Sequence, residues 1–369
     1  MLGRNKFCLG LFSANCSNGM TMTKAPERWD NTWDNNVKAA QLADDAGIEF
    51  MLPVGRWKGY GGDTNSQSSN FETITWATGL LASTKTISVF GTVHAALIHP
   101  VFAAKQMATA DHVGHGRFGL NVVAGWNTAE FDMFGVSLLP QDDRYAYAEE
   151  WITITRRIWT EPETFDFNGR FFQLKQVQGM PKPYSGRPLI MSAGSSDAGS
   201  AFAFRNADCL FMVINDVDSM AKQVAALREK SKGGTFGVFA SSHLVARPTR
   251  KEAEDYYAYI VDEMGDWAAA DYMAKARETG KSTPKELLHQ HQMKRRFIGG
   301  CGTWPVVGSY DDVVDTYSRF SAAGLQGMAV GLIHYIDEFP HLRDEVLPRM
   351  ERVGLREPVN VVRRRAAPD

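Results

Sequence analysis

The stretch Gly114-His115-Gly116-Arg117-Phe118-Gly119-Leu120-Asn121-Val122-Val123-Ala124-Gly125-Trp126 decides between two α/β architectures. Its first six letters match the Gly-x-Gly-x-x-Gly fingerprint of a dinucleotide-binding sheet. That fingerprint works when a strand precedes the glycines and a helix follows, so that phosphate meets the helix N-terminus. Here the order is inverted. Residues 101–113 have helical spacing, and an apolar, β-branched run begins at Phe118. The glycines therefore read as a helix-ending turn, and a nicotinamide-binding unit is not expected.

Outward from this point the same alternation repeats. Short apolar runs at 7–12, 50–54, 87–92 and 118–123 precede it or belong to it, and 189–192, 209–214, 236–246 and 327–333 follow. Between them lie helical patterns such as 35–45 and 145–159, and 313–323 follows Ser309-Tyr310-Asp311-Asp312, a capping box. Eight strands alternating with helices predict an α/β fold, a (β/α)8 TIM barrel with insertions at its C-terminal face. The competing open doubly wound sheet normally uses five or six strands. One domain over 1–369 accommodates the length.

Composition narrows the function. Hydrophobic residues are 44% and charged residues 22%, enough for a large core. Forty basic against forty-two acidic residues leave a net charge of −2, which gives no electrostatic reason to expect nucleic acid or an anionic membrane as partner. Cys8, Cys16, Cys209 and Cys301 form no Cys-x-x-Cys, so neither a disulfide framework nor a cysteine zinc site is expected. His289 and His291 would point to different faces of a helix, and no metal is expected. With no signal pattern and no apolar run of spanning length, a cytoplasmic protein is the expectation.

Three segments exceed a minimal barrel: 13–36 after the first strand, 55–70 after the second, and 265–308. The first two fall at the C-terminal face, where barrel enzymes place their sites. The third carries Lys294-Arg295-Arg296 followed by Gly299, Gly300 and Gly302, which reads as a lid over an anionic ligand. Within Met191-Ser192-Ala193-Gly194-Ser195-Ser196-Asp197 a strand gives way to a helix. The N–H groups and hydroxyls there suit either a phosphate or plain N-capping. Asn121 ends the fourth strand as an amide donor and acceptor facing the barrel mouth. Thr92 ends the third strand, with His94 two residues on.

As a set these pieces resemble the bacterial-luciferase-like family of flavin-dependent monooxygenases. The most telling stretches are Ala103-Ala104-Lys105-Gln106-Met107-Ala108-Thr109, 116–126 and Gly194-Ser195-Ser196-Asp197-Ala198-Gly199, with Arg144-Tyr145 and 166–172. The resemblance implies reduced FMN, molecular oxygen as co-substrate and a separate NAD(P)H-dependent flavin reductase, in a chain that forms a dimer or tetramer. It implies flavin contacts at Gly55, Arg56, Thr92, Asn121, Glu130, Arg144 and Tyr145, with the phosphate at Ser195 and Ser196. Thr92 and Asn121 would hold oxygen against the flavin, and His94 joins them as a catalytic candidate. Lys58-Gly59-Tyr60-Gly61-Gly62-Asp63-Thr64 and Thr92 look like a pyrimidine-opening enzyme, which implies cleavage of a C–N bond of an N-heterocycle or amide through a flavin peroxide. Residues 331–338 look more like a dimethyl sulfone enzyme, which would cleave C–S and release sulfinate or sulfite. Gly55-Arg56 departs from the aliphatic–Lys pair of the pyrimidine enzyme. The positive charge survives there, but an Arg does not reproduce Lys geometry.

Overall fold

The stretch that opened the sequence reading folds as helix, turn and strand. In the computed structural model, Pro100–Val113 is a helix with Pro100 in its first turn, where a missing N–H costs nothing. Gly114 caps it, Gly116 takes φ +81°, a conformation that disfavours any side chain, and the strand Phe118–Val123 follows. Residues 5–194, 196–230, 236–275 and 284–359 are described, the side chains of 284–289 excepted.

The strands in chain order are β1 (Cys8–Phe12), β2 (Phe50–Leu52), β3 (Ser88–His94), β4 (Phe118–Val123), β5 (Phe165–Asn168), β6 (Gln173–Val177), β7 (Leu189–Ala193), β8 (Cys209–Met212), β9 (Gly237–Arg247), β10 (Trp304–Ser309) and β11 (Gly327–Gly331). The helices are α1 (Trp33–Asp45), α2 (Thr73–Ser83), α3 (Pro100–Val113), α4 (Thr128–Met133), α5 (Gln141–Thr160), α6 (Asp197–Asn206), α7 (Val217–Lys230), α8 (Arg250–Ala258), α9 (Trp267–Lys275), α10 (Pro284–Gly300), α11 (Tyr310–Ala322) and α12 (Leu347–Arg352). Parallel pairing runs β9-β11-β1-β2-β3-β4-β7-β8 and returns from β8 to β9, which closes an eight-stranded (β/α)8 barrel. These eight strands are the eight that the sequence marks. Among the described residues no helix is long and apolar enough to cross a membrane.

The barrel interior is filled by large rings facing small residues. Phe50 meets Phe90 and Phe239 edge-on at 6.0 and 5.8 Å. Gly119 leaves the room that the Phe90 ring occupies, since a Cβ there would lie 2.5 Å from it. A second core layer, including Trp76, Trp151 and Trp159, packs between strands and helices.

Two elements lie outside the sequence expectation. β5 and β6 form an antiparallel hairpin between α5 and β7. Inside the 265–308 segment, β10 pairs in parallel with residues 242–247 of β9, beyond the point where β8 has ended. Its Trp-Pro start hides it, because proline is confined to strand edges and first positions. Described residues elsewhere in that segment meet the loops after β1 and β2. Met22 N–H donates to Ile298 O at 2.7 Å and Asp266 N–H to Met22 O at 2.8 Å, and Thr64 bonds Asp266 through both backbone and hydroxyl. The insertion therefore stands at the C-terminal face.

Candidate active site

The mouth is organised by the pairing of β3 with β4. Side chains alternate along a strand, so Thr92 and His94 share one face of β3, and Thr92 lies opposite Asn121 in the register. β3 runs on to His94 rather than ending at Thr92, which places the histidine in the sheet. The Thr92 hydroxyl donates to Pro53 O at 2.6 Å and accepts from Asn121 Nδ2 at 3.1 Å. That fixes the amide orientation. Asn121 Oδ1 is left buried with no hydrogen-bond partner among the described residues, an exception to the rule that buried polar atoms are paired.

Above this pair, Gly55 ends the backbone turn after β2. A Cβ there would lie 3.1 Å from both Thr92 Cγ2 and His94 Cε1, so the glycine keeps both side chains uncovered. Arg56 is 8% exposed and Glu130 1%. Arg56 Nη1 meets Glu130 Oε1 at 3.1 Å, and the same oxygen accepts from the backbone N–H groups of Trp57 and Lys58 at 2.9 and 3.3 Å. Arg56 Nε donates to Gln67 Oε1 at 3.2 Å, and the guanidinium lies over the rings of Tyr60 and Trp126 at 4.8 and 5.7 Å. A buried charge needs a partner of this kind, because desolvation otherwise outweighs it.

A second group gathers beside the first, at the end of β7, which pairs with β4, and at the start of α6. Gly194 and Gly199 pack backbone to backbone, and a Cβ on Gly194 would lie 2.9 Å from Gly199 Cα. Ser196 is the N-cap of α6, its Oγ accepting from Gly199 N at 3.1 Å, so its hydroxyl hydrogen remains available to donate. Tyr145 Oη stands 2.5 Å from where a Gly199 Cβ would be. Arg144 Nη1 donates to Gly125 O at 2.7 Å, while its Nε is buried without a partner among the described residues. Ser195 lies outside the described residues.

A family model described as luciferase-like monooxygenase matches residues 8–327. The chain belongs to that family. Over 341 residues it is 30% identical to the FMNH2-dependent dimethylsulfone monooxygenase of Pseudomonas fluorescens, covering 90% of this chain and 92% of that one. It is 28% identical over 358 residues to a pyrimidine monooxygenase of Bradyrhizobium, covering 93% and 96%. A solved riboflavin lyase, with modified FMN and riboflavin, superposes with a TM-score of 0.84 at 22% identity over 95% of this chain and 93% of that one. That last likeness is one of fold.

In this luciferase-like monooxygenase the site residues marked in the sequence fall into those two groups. Gly55, Arg56, Thr92, His94, Asn121 and Glu130 converge at the ends of β2, β3 and β4. Arg144, Tyr145 and Ser196 gather at α5 and α6. Other histidines, and the basic residues marked at 294–296, serve elsewhere. His243 is pinned by Thr303 and Tyr257, and His334 packs edge-on against Trp29 at 5.1 Å. His291 stacks on Trp267 at 5.2 Å, and the side chain of His289 lies outside the described residues. Lys294 and Arg295 pair with Asp271 and Asp262 at 2.8 Å each, and Arg296 donates to the carbonyls of Ile214, Gly302 and Thr303. Gln67 is a mouth residue that the sequence does not single out. It is 1% exposed at φ +62° and also bonds Gly19 O at 2.9 Å, but a glutamine in a Ser/Asn-rich loop carries no signal of burial.

Proposed function

We propose that this chain is the oxygenase of a two-component system. It takes reduced FMN from a separate NAD(P)H-dependent flavin reductase and uses molecular oxygen to cleave a C–N bond of an N-heterocycle or amide. The observation that carries this reading is the buried Thr92–Asn121 hydrogen bond at adjacent strand ends, with Asn121 Oδ1 unpaired. The proposed setting is the cytoplasm, with the chain assembled as a dimer or tetramer.

The residues present fit the cofactor. Asn121 Oδ1 is an orphaned acceptor, Arg144 Nε an orphaned donor, and the Gly194–Gly199 contact leaves a cradle that a Cβ would fill. Ser196, Tyr145, Arg144 and the N-terminus of α6 would hold the phosphate end. Gly55, Arg56, Glu130 and Asn121 would line the ring, Glu130 acting through Arg56 and the loop backbone. When bound, reduced FMN supplies the electrons that activate oxygen. The protein's part is to hold donors in place. The second hydrogen of Asn121 Nδ2 is free, and the Thr92 hydroxyl can turn from Pro53 O toward developing negative charge. Preset donors in a water-poor site are worth about 3 kcal/mol each. The 265–308 insertion, narrowed to the part before β10, is proposed as the lid that keeps water out.

A second reading, C–S cleavage of a sulfone or sulfonate, is favoured by the 30% identity to the dimethylsulfone enzyme. Sulfinate or sulfite release would select it.

The test is oxygen uptake. The purified protein should oxidise no NAD(P)H alone, yet consume oxygen and form product when reduced FMN and substrate are supplied. Thr92→Val should lower coupled product about 100-fold with little change in reduced-FMN affinity. Unchanged turnover removes Thr92 from the mechanism, and rapid NAD(P)H oxidation without a reductase removes the two-component assignment.

A further inference from the structure

One ring at the mouth has no hydrogen-bond partner. His94 is 7% exposed, yet neither ring nitrogen bonds to any described residue. Its neighbours are the edge of Phe131, with centroids 6.5 Å apart, and the bare backbone of Gly55. The ring lines a small cavity together with Gly55, Arg56, Phe71, Leu97 and Ile98. That lining mixes apolar side chains with the polar groups of Arg56, Thr92 and His94. Arg56 contributes there as well. Its Nε and Nη1 are held by Gln67 and Glu130, while Nη2 makes no hydrogen bond among the described residues.

Burial pushes the His94 pKa down to about 4; Glu130 pulls upward and Arg56 adds to the fall. Glu72, the remaining charged group on the cavity wall, is occupied in capping α2 through Ile74 and Thr75 N–H. At neutral pH the ring is therefore uncharged, one donor and one acceptor. Neither ring nitrogen is among the fully enclosed polar atoms, so both can be reached from the cavity, and a ligand there can bond them. Arg56 can only donate. A ligand that matches both residues presents a carbonyl to Arg56 and an N–H to the His94 lone pair, which is the edge of a planar cyclic amide or imide.

We propose that His94 is a specificity-determining residue, accepting a hydrogen bond from the ring N–H of a cyclic amide or imide whose adjacent carbonyl is bound by Arg56. This rests on the C–N reading above. A sulfone carries acceptors alone and leaves the His94 lone pair unmatched. A site built around a substrate N–H discriminates strongly against an analogue lacking it. The isoalloxazine of the cofactor carries a similar imide edge, so the experiment separates the two sources.

The experiment uses the full-length protein with a flavin reductase, and compares wild type with His94→Leu and His94→Gln. Probes are uracil, hydantoin and succinimide, each beside its N-methylated form, with dimethyl sulfone as the acceptor-only control. Turnover, anaerobic affinity for reduced FMN and the ¹⁵N resonances of the imidazole are read. Wild type is expected to turn over at least one N–H probe, and that probe should shift the His94 ring resonances. Its KM should rise at least about tenfold in His94→Leu, with a smaller change in kcat. Partial recovery is expected in His94→Gln, and reduced-FMN affinity should stay within about twofold. N-methylation should weaken binding to wild type and make no difference to His94→Leu. Circular dichroism checks the fold, and if the Leu variant does not fold, the Gln variant and the wild-type N-methyl comparison decide alone. An unchanged KM in a folded variant overturns the role of His94 while C–N cleavage stands. Loss of FMN affinity with an unchanged KM assigns His94 to the cofactor's own imide edge and overturns the proposal. No turnover of any N–H probe, with methanesulfinate formed from dimethyl sulfone, overturns the C–N reading itself.

Discussion

Among the described residues two histidines are buried, and their surroundings are opposites. His94 on β3 has neither nitrogen bonded. His243 on β9 has both, with Nδ1 to Thr303 Oγ1 at 2.9 Å and Nε2 to Tyr257 Oη at 3.1 Å, and it stacks on Tyr257 with ring centroids 5.6 Å apart. Gly299 and Gly300 press against it so closely that a Cβ on either would collide with the ring. Burial lowers the pKa of both, to about 4 for His94 and about 3 for His243, where Arg296 contributes. Exposure and titration therefore do not tell the two apart. Partnering does: the β9 histidine ties α8, α10 and β10 to the barrel, and the β3 histidine keeps its bonding capacity for something else.

The sharpest way to stress this contrast is to remove what holds the β3 side in place. Glu130→Ala leaves Arg56 buried without its carboxylate, and should cost about 3–5 kcal/mol in urea unfolding; a loss below about 1 kcal/mol would mean that the pair is solvated. On the β9 side, His243→Ala opens a cavity and strands Thr303 and Tyr257. It should cost about 2–4 kcal/mol, against less than about 1 kcal/mol for His94→Leu, which breaks no hydrogen bond. Equal losses would dissolve the distinction between the two rings.

Acid provides the gentlest test. Both folded-state pKa values lie below the unfolded value near 6.5, so between these limits the unfolded chain binds more protons than the folded one. The neutral-ring contribution is whole above about pH 6.5 and is lost as pH falls, toward about 4 for His94 and about 3 for His243. Each ring adds up to about 1.4 kcal/mol per pH unit to that decline. Urea midpoints from pH 7 to 4.5 should fall less steeply in His94→Leu than in wild type. Parallel curves would mean that the β3 ring is already solvated.

Much of the architecture is legible in the sequence, because strand and helix differ in apolar period and each barrel strand repeats the same punctuation. The helix–turn–strand at 100–123 and the Ser309–Asp312 capping box stand where their residues put them. β10 was not legible. Its pairing is with β9, about sixty residues earlier, and its local sequence opens on Trp-Pro. At the site, placing Thr92 and Asn121 at strand ends is enough to make them neighbours, since parallel strands in register face their ends the same way. The partners of Arg56 were not legible in the same manner. Gln67 reaches it from farther along the same loop and Glu130 from the first turn of α4, and no periodicity constrains how a loop folds back or where it meets a short helix.

The Arg56–Glu130 bond joins residues 74 positions apart, and it has a consequence in time. The β2 loop gains its anchor when β3, α3 and β4 have already been laid down and α4 has arrived. Contacts that close long stretches of chain form slowly. The bond is therefore expected to form only after β2, β3 and β4 have paired. Its removal should quicken unfolding far more than it slows folding, so that the same carboxylate that orients the guanidinium also sets how long a finished barrel lasts.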